Sequence, residues 1–181
     1  LDGLEGVERF RISSIEPNLL TDELIDLVAA SKKFQPHFHI PLQSGNDAVL
    51  SAMRRRYRTD HYRSRIERIR ERMPHASIGV DVIVGFPGES KEKFLASVDF
   101  IKSLQISYLH VFTYSERPNT TALRIDAVVP VPERKERNKT LRNVSLKAQR
   151  AHYEAFLGRE MDVLFEEAEE DGLRMGYSPN Y

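Results

Sequence analysis

The stretch Ser77-Ile-Gly-Val-Asp-Val-Ile-Val-Gly85 is a nearly continuous apolar run interrupted by a single carboxylate, Asp81. This is the pattern of a strand covered on both faces, which parallel sheets of α/β proteins produce and half-solvated antiparallel sheets do not. Its neighbours agree. Further strands are expected from Arg9 to Ile15, ending at Glu16 before Pro17, from Phe38 to Leu42, and from Tyr108 to Phe112. Helical periodicity separates them. One helix opens at Thr21 or Asp22 with Leu24, Leu27 and Val28 inward, and a second at Asn46 or Asp47 with Val49, Leu50 and Met53 inward. Others run from Asp60 to Pro74, from Ser90 past Leu104, and from about Pro130 to Leu157, the last stopped by Gly158. Such alternation argues for parallel βα units, in a barrel or an open sheet.

In both architectures ligands meet the carboxyl ends of the strands. Those ends carry Ser13, Ser14 and Glu16, then Gln43 and Ser44, then Gly85 to Glu89, and finally Tyr114 and Ser115. Asp81 is the most informative single residue. Burying a carboxylate in an apolar run costs several kcal/mol unless it is paired or hydrogen-bonded. It must therefore face a polar cavity or a partner, the plain alternative being a structural hydrogen bond to a loop. Gln43 has an amide suited to ribose hydroxyls, and Arg55 a two-pronged donor suited to a carboxylate. Arg54 and Arg56 read as a solvated helix end at the negative pole of the helix dipole. Glu16 can pair with an ammonium group or cap the next helix. Ile83 and Gly85 form a strand edge against which a flat ring can lie, although Gly and Pro at such a place are also ordinary turn chemistry.

The chain has no cysteine, which excludes a disulfide framework and any thiolate metal site within these 181 residues. His37 and His39 alternate like a metal-binding pair, but no third ligand follows at a recognisable spacing, so no metal site is expected. His39 and His110 are expected to line the sheet interior as hydrogen-bonding residues. Net charge is zero, yet Arg54 to Arg72 holds nine arginines against three acids, and Glu160 to Asp171 seven acids and no base. The basic helices, this one and Arg134 to Arg150, are candidates for an RNA-facing surface or for solvated outer helices. No apolar run reaches the roughly 18 residues of a membrane span and no signal peptide opens the chain, so a cytoplasmic protein with no membrane partner is expected. The chain starts without Met and stops in what reads as a β region, so a fragment is expected, with two sheet edges exposed.

Four motifs in order, Arg11-Ile-Ser-Ser-Ile-Glu-Pro17, His39-Ile-Pro-Leu-Gln-Ser-Gly45 with Met53-Arg-Arg55, Asp81-Val-Ile-Val-Gly-Phe-Pro-Gly-Glu89 and His110-Val-Phe-Thr-Tyr-Ser-Glu-Arg-Pro118, resemble the radical S-adenosylmethionine methylthiotransferases. The Ile-Glu-Pro form resembles most the branch that modifies N6-threonylcarbamoyladenosine 37 of tRNA. The resemblance implies a partial (βα)6 TIM-like barrel, strands three to six, over residues 1–157. It also implies the start of a small β domain, TRAM, over 158–181, where Gly158 to Phe165 and Gly176 to Tyr181 carry the likeness. It further implies S-adenosylmethionine and two [4Fe–4S] clusters whose ligands lie outside these residues, an electron donor, and the tRNA anticodon loop as partner. The activity implied is methylthio insertion at C2 of the nucleoside, by way of a 5′-deoxyadenosyl radical, with the segment by itself inactive. By motif position, Glu16 addresses the amino group of the methionine moiety, Arg55 its carboxylate, Gln43 and Asp81 the ribose, and Ile83 and Gly85 the adenine. Asn119 departs from the family's glycine after Arg-Pro, and Asn46 from a common serine. The alternative from the residues alone is a non-catalytic RNA-binding or scaffold module.

Overall fold

The computed structural model describes residues 1–181, with side chains for all except 168–170. Its centre is a parallel sheet in the order β1 (His37–His39), β2 (Ser77–Val84), β3 (Tyr108–Thr113). The apolar run is the middle strand, as its composition requires. Register sets Phe38 beside Ile78, Asp81 beside His110 and Ile83 beside Phe112. One face, with Phe38, Ile78, Val80 and Val82, is fully buried under α3 (Thr59–Arg72) and α4 (Lys91–Ser103), which contribute Tyr62, Ile66, Ile69, Phe94, Val98 and Ile101. Each such side chain contributes about 1.5–3 kcal/mol on burial. The other face carries His37, His39, Asp81, Tyr108 and His110.

Local chemistry explains the helix boundaries. Thr21, Asn46 and Ser90 each accept a backbone N–H of the first turn of α1 (Asp22–Ala30), α2 (Asp47–Ala52) and α4, respectively. Helix α3 has no side-chain cap, and Asp47 Oδ1 instead accepts Thr59 N at 2.8 Å. On α1 the buried residues are Ile25 and Val28, whereas Leu27 is exposed. Apolar residues stand on several sides of this helix, so periodicity alone left its inward face ambiguous.

Three expectations need correction. The strand from Arg9 to Ile15 is reduced to one parallel bridge, Phe10 to Phe34, and a bond from Ile15 N to His39 O of 3.0 Å. Between these points the chain runs apart from β1, and Arg11 turns to Ser178 O and to the rings of Tyr177 and Tyr181. The acidic stretch, which the sequence reads as the join between two short strands, Met161 to Phe165 and Gly172 to Tyr177, is itself largely strand. It forms much of β4 (Leu164–Glu170), which pairs antiparallel with β5 (Leu173–Tyr177) through Asp171 and Gly172, both in the left-handed region that a tight hairpin turn demands. The sheet edge at β3 is not left open either. On β3, Ser145 Oγ accepts Leu109 N at 2.8 Å and donates to Leu109 O, and Asn138 donates to Val111 O, so α5 (Val131–Glu154) closes that side.

The arginines of the basic stretch mostly fasten helices together. Arg65 pairs with Asp22, Arg68 and Arg72 with Asp26, Arg63 with Ser103 Oγ, and Arg70 with the carbonyls of Gln105, Pro74 and Ala76. Arg54, Arg56 and Arg58 have no protein partner among the described residues. An RNA-facing surface built from α3 is therefore much narrower than charge counting suggests.

His37 is buried beneath Tyr108 and Tyr181, with Nε2 3.0 Å from Tyr108 Oη. Burial first, and then the Arg11 charge, push its imidazole down from 6.5 to about 4. The folded state therefore binds its proton less readily than the unfolded state. Stability is expected to fall as pH drops from about 6.5 towards about 4. Urea titrations across this window check it. His37→Gln, which retains an acceptor for Tyr108, should flatten the slope, and an unchanged slope would assign the loss to other groups.

Candidate cofactor-binding site

The strand ends converge through two departures from regular geometry. At the end of β1, Pro41 offers no N–H, and then Leu42 N and Gln43 N both donate to Asp81 O, at 3.1 and 2.8 Å. Two residues thus face one, which is a bulge, and Gln43 takes a φ of 67° before its carbonyl accepts Ile83 N at 2.9 Å. A non-glycine residue held in this region costs on the order of 1–3 kcal/mol, and such strain concentrates at ligand sites. Buried tyrosines hold the turn in place. Tyr57 Oη donates to Pro41 O and Leu42 O, and Tyr62 Oη to Ile40 O at 2.7 Å. Burial pushes both phenols well above their ordinary range, so they stay protonated donors.

The second departure corrects the expected arginine-tipped helix. Helix α2 stops at Ala52, with Met53 at its carboxyl cap. Arg54 then occupies the left-handed position, φ 58°, normally given to glycine, and Arg55 N bonds back to Leu50 O at 2.9 Å. Together with Arg54 N to Ser51 O at 2.9 Å this is a Schellman closure. It turns the chain so that Arg54 and Arg56 are exposed while Arg55 folds inward. Arg55 Nη1 meets Glu16 Oε1 at 3.2 Å, and Arg55 Nε is buried without a hydrogen-bond partner among the described residues.

Gln43, Arg55, Asp81 and Ile83 then line one cleft of about 470 Å3, with Phe112 and Tyr114 on its far wall and Arg117, Thr120 and Ala122 from the following loop. Asn119 turns that loop with φ 64°, so asparagine performs the left-handed turn that glycine would otherwise supply. Arg134, from α5, secures the loop by donating to Tyr114 O at 3.0 Å and pairing with Glu116. Glu16 reaches the cleft through Arg55. Gly85 does not line it. Its φ is 76°, and a Cβ there would collide with the aliphatic stem of Arg134. Glycine is thus required for packing of α5 against the strand end. A larger cavity, about 820 Å3, lies on the outer surface between α4 and α5, away from the strand ends.

Asp81 finds a partner that sequence reasoning missed. His39 Nε2 lies 2.8 Å from Asp81 Oδ1, on the open face of the sheet, and the carboxylate is only about one-fifth exposed. The signal was present in part, since His39 and Asp81 both interrupt apolar strands. Their meeting depends on the register of β1 against β2, which spacing along the chain cannot supply. The loop residues Arg117, Thr120 and Ala122 were also missed as cleft-lining, although Arg117 belongs to the fourth motif.

The donor set fits S-adenosylmethionine. An α-amino acid group carries an ammonium and a carboxylate, for which Glu16 and Arg55 are complementary, and the buried Arg55 Nε is a donor still to be matched. Gln43 and Asp81 offer a neutral amide and a carboxylate for hydroxyls, and Ile83 an apolar surface for a base. An iron–sulfur cluster does not fit these residues, because none is a cysteine.

A parallel sheet backed by helices carries at its carboxyl ends the Glu16–Arg55 ion pair and a bulged glutamine. The chain belongs to the radical SAM superfamily, whose model, described as Radical SAM superfamily, matches residues 3–101. Its likeness is to methylthiotransferases in particular. It is 38% identical over 182 residues to "Threonylcarbamoyladenosine tRNA methylthiotransferase MtaB" of Bacillus subtilis, covering 98% of this chain and 40% of that protein. It is 42% identical over 165 residues to "tRNA-2-methylthio-N(6)-dimethylallyladenosine synthase" of Mycobacterium bovis, covering 89% of this chain and 31% of that one. The chain thus spans about two fifths of the length of the Bacillus relative. Among solved structures, coproporphyrinogen III oxidase (HemN) from Escherichia coli superposes with a TM-score of 0.61 at 22% identity, over 78% of this chain and 32% of that chain, a likeness of fold alone.

Proposed function

We propose that this chain is the S-adenosylmethionine-holding part of a tRNA methylthiotransferase that acts at C2 of N6-threonylcarbamoyladenosine 37. The observation that carries the reading is the convergence of Gln43, Arg55, Asp81 and Ile83 on one cleft, with Glu16 paired to Arg55. S-adenosylmethionine, with an iron–sulfur cluster held elsewhere in the complete protein and an electron donor, supplies the radical that activates the C–H bond and, from a second molecule, the methyl group. This chain's residues bind and orient. Glu16 and Arg55 hold the amino acid end, Gln43 and Asp81 the ribose hydroxyls, and Ile83 one side of the adenine. The rigid bulge at Gln43 keeps the ribose partners on the strand end, where a loose site would lose alignment.

Identity does not separate the branches, at 38% against 42%. Support for the threonylcarbamoyl branch comes from the Ile15-Glu16-Pro17 motif. The hairpin of β4 and β5 is compatible with the opening of an RNA-gripping TRAM domain over residues 158–181, the barrel portion being 1–157. A cytoplasmic site of action accompanies a tRNA substrate, and no helix among the described residues is long and apolar enough to cross a membrane. We further propose two clusters in the complete protein and no catalysis by this segment without them. Nucleoside mass analysis of tRNA from a strain lacking the gene tests the reading. Loss of the methylthio derivative of threonylcarbamoyladenosine, restored by the complete gene, is expected. Loss of the dimethylallyl derivative instead would reassign the branch, and an unchanged nucleoside profile would favour a non-catalytic RNA-binding module.

A further inference from the structure

On the open face of the sheet, beneath the cleft, three metal-ligating side chains from three adjacent strands come together. His39 of β1, Asp81 of β2 and His110 of β3 place one ligand atom each within 4.8 Å of one another. Asp81 and His110 are direct neighbours in register, and His39 stands opposite Gly79, whose missing side chain leaves room for the Tyr108 ring beside the cluster. We propose that His39, Asp81 and His110 form a binding site for a borderline divalent cation of the zinc class.

The geometry suits one. With metal–nitrogen bonds near 2.0–2.1 Å and tetrahedral angles, two imidazoles sharing a metal have ring centroids roughly 5 Å apart. The rings of His39 and His110 are 5.4 Å apart. In such a centre neighbouring ligand atoms lie about 3.3 Å apart, so the 2.8 Å contact between His39 Nε2 and Asp81 Oδ1 opens by about half an ångström when the metal replaces the shared proton. Two imidazoles and a carboxylate match zinc, cobalt or iron(II) better than magnesium or calcium, which prefer all-oxygen shells. Three protein ligands leave a fourth position open, the arrangement of sites where a water or substrate oxygen binds. Tyr108 packs edge-on to the His110 ring at 5.2 Å and limits its swing. Ligation through Oδ1 alone leaves the second carboxylate oxygen of Asp81 for the cleft. The assignment does not depend on the reading of the cleft as an S-adenosylmethionine site.

Sequence spacing concealed this grouping. His37 and His39 look like the pair, but His37 turns to Tyr108 and the partner of His39 is 71 positions away, on the far strand.

The test uses the metal alone. The absence of cysteine makes Co2+ a clean reporter, since any low-symmetry visible spectrum must come from nitrogen and oxygen ligands. The metal-free 181-residue chain is titrated with Co2+ by absorbance and with Zn2+ by calorimetry, beside His110→Phe, Asp81→Asn and, as a control, His61→Ala. His110 is exposed, so its replacement leaves the fold intact, which melting without metal verifies. One Zn2+ per chain is expected, weakened at least about tenfold by His110→Phe and by Asp81→Asn but not by His61→Ala. Added Zn2+ should also raise the melting temperature of the wild type and of His61→Ala only. Equal affinity in wild type and His110→Phe, or no stoichiometric binding, would overturn the site and leave His39 and Asp81 as a hydrogen-bonded pair.

Discussion

Arg55→Ala in the complete protein is expected to weaken S-adenosylmethionine binding by about 10- to 100-fold, as befits loss of a charge-assisted hydrogen bond to a carboxylate worth about 1.5–3 kcal/mol. The thermal midpoint should hardly move. The protein partner of Arg55 is Glu16, and that ion pair is 29% and 41% exposed on its two sides, a setting in which such pairs contribute about 0–1 kcal/mol. Magnitude thus separates two roles for the same guanidinium. Arg55→Lys should recover only part of the affinity, because an ammonium lacks the two-pronged donor. A large loss of melting temperature with unchanged affinity would make Arg55 a structural strut instead.

Arg137→Ala is expected to have the largest effect on stability, a loss of about 3–5 kcal/mol, the usual consequence of stranding a buried charge. Arg137 and Glu89 are 5% and 2% exposed. Arg137 Nη1 donates to Glu89 Oε2 at 2.6 Å and to Glu89 O at 2.7 Å, and the same Oε2 accepts Gly85 N at 2.7 Å. This network ties α5 to the strand end that carries Ile83, so its loss should also loosen the cleft wall. Burial already pushes the Glu89 carboxyl up, against the Gly85 N–H and Arg137 that hold it down. Removing Arg137 raises it further. A carboxyl whose folded pKa exceeds its unfolded one contributes stability at low pH that is lost as pH rises. The deficit of Arg137→Ala should therefore shrink on acidification, and Glu89→Gln in the same chain should recover part of it at neutral pH. Denaturant titrations at two pH values read both effects. A deficit independent of pH and of Glu89→Gln would point to lost packing around Phe94, over which Arg137 also lies.

How much of this was legible in the sequence differs from residue to residue, for physical reasons. The central strand, the caps at Thr21, Asn46 and Ser90, and the break at Pro74 follow from short-range chemistry and appear where the residues imply, whereas the long helix ends at Glu154, short of the stop expected at Gly158. Gln43, Arg55, Asp81 and Ile83 were identified as candidate contacts from strand ends and motifs, and the structure brings those four to one cleft. Gly85 was assigned to the same surface, yet its conformation answers to Arg134, a residue 49 positions later. The bulge at Gln43 and the left-handed Arg54 were not legible, since neither residue favours that conformation and tertiary anchors impose it. The partnership of His39 with Asp81 needs strand register, and the short fate of Arg9 to Ile15 needs the attraction of Arg11 to Tyr177 and Tyr181. Charge counting was least reliable, because acids on α1 absorb several of the arginines of α3.

The proposed role of this cleft is to hold S-adenosylmethionine for methylthio transfer to tRNA. The most direct measurement is nucleoside mass analysis after an anaerobic reaction of the reduced complete protein with S-adenosylmethionine, a sulfur source and tRNA carrying threonylcarbamoyladenosine. The expected result is 5′-deoxyadenosine together with a methylthio group on that nucleoside, both sharply reduced in Arg55→Ala. Unmodified tRNA and no 5′-deoxyadenosine, from protein with its clusters intact, would contradict it.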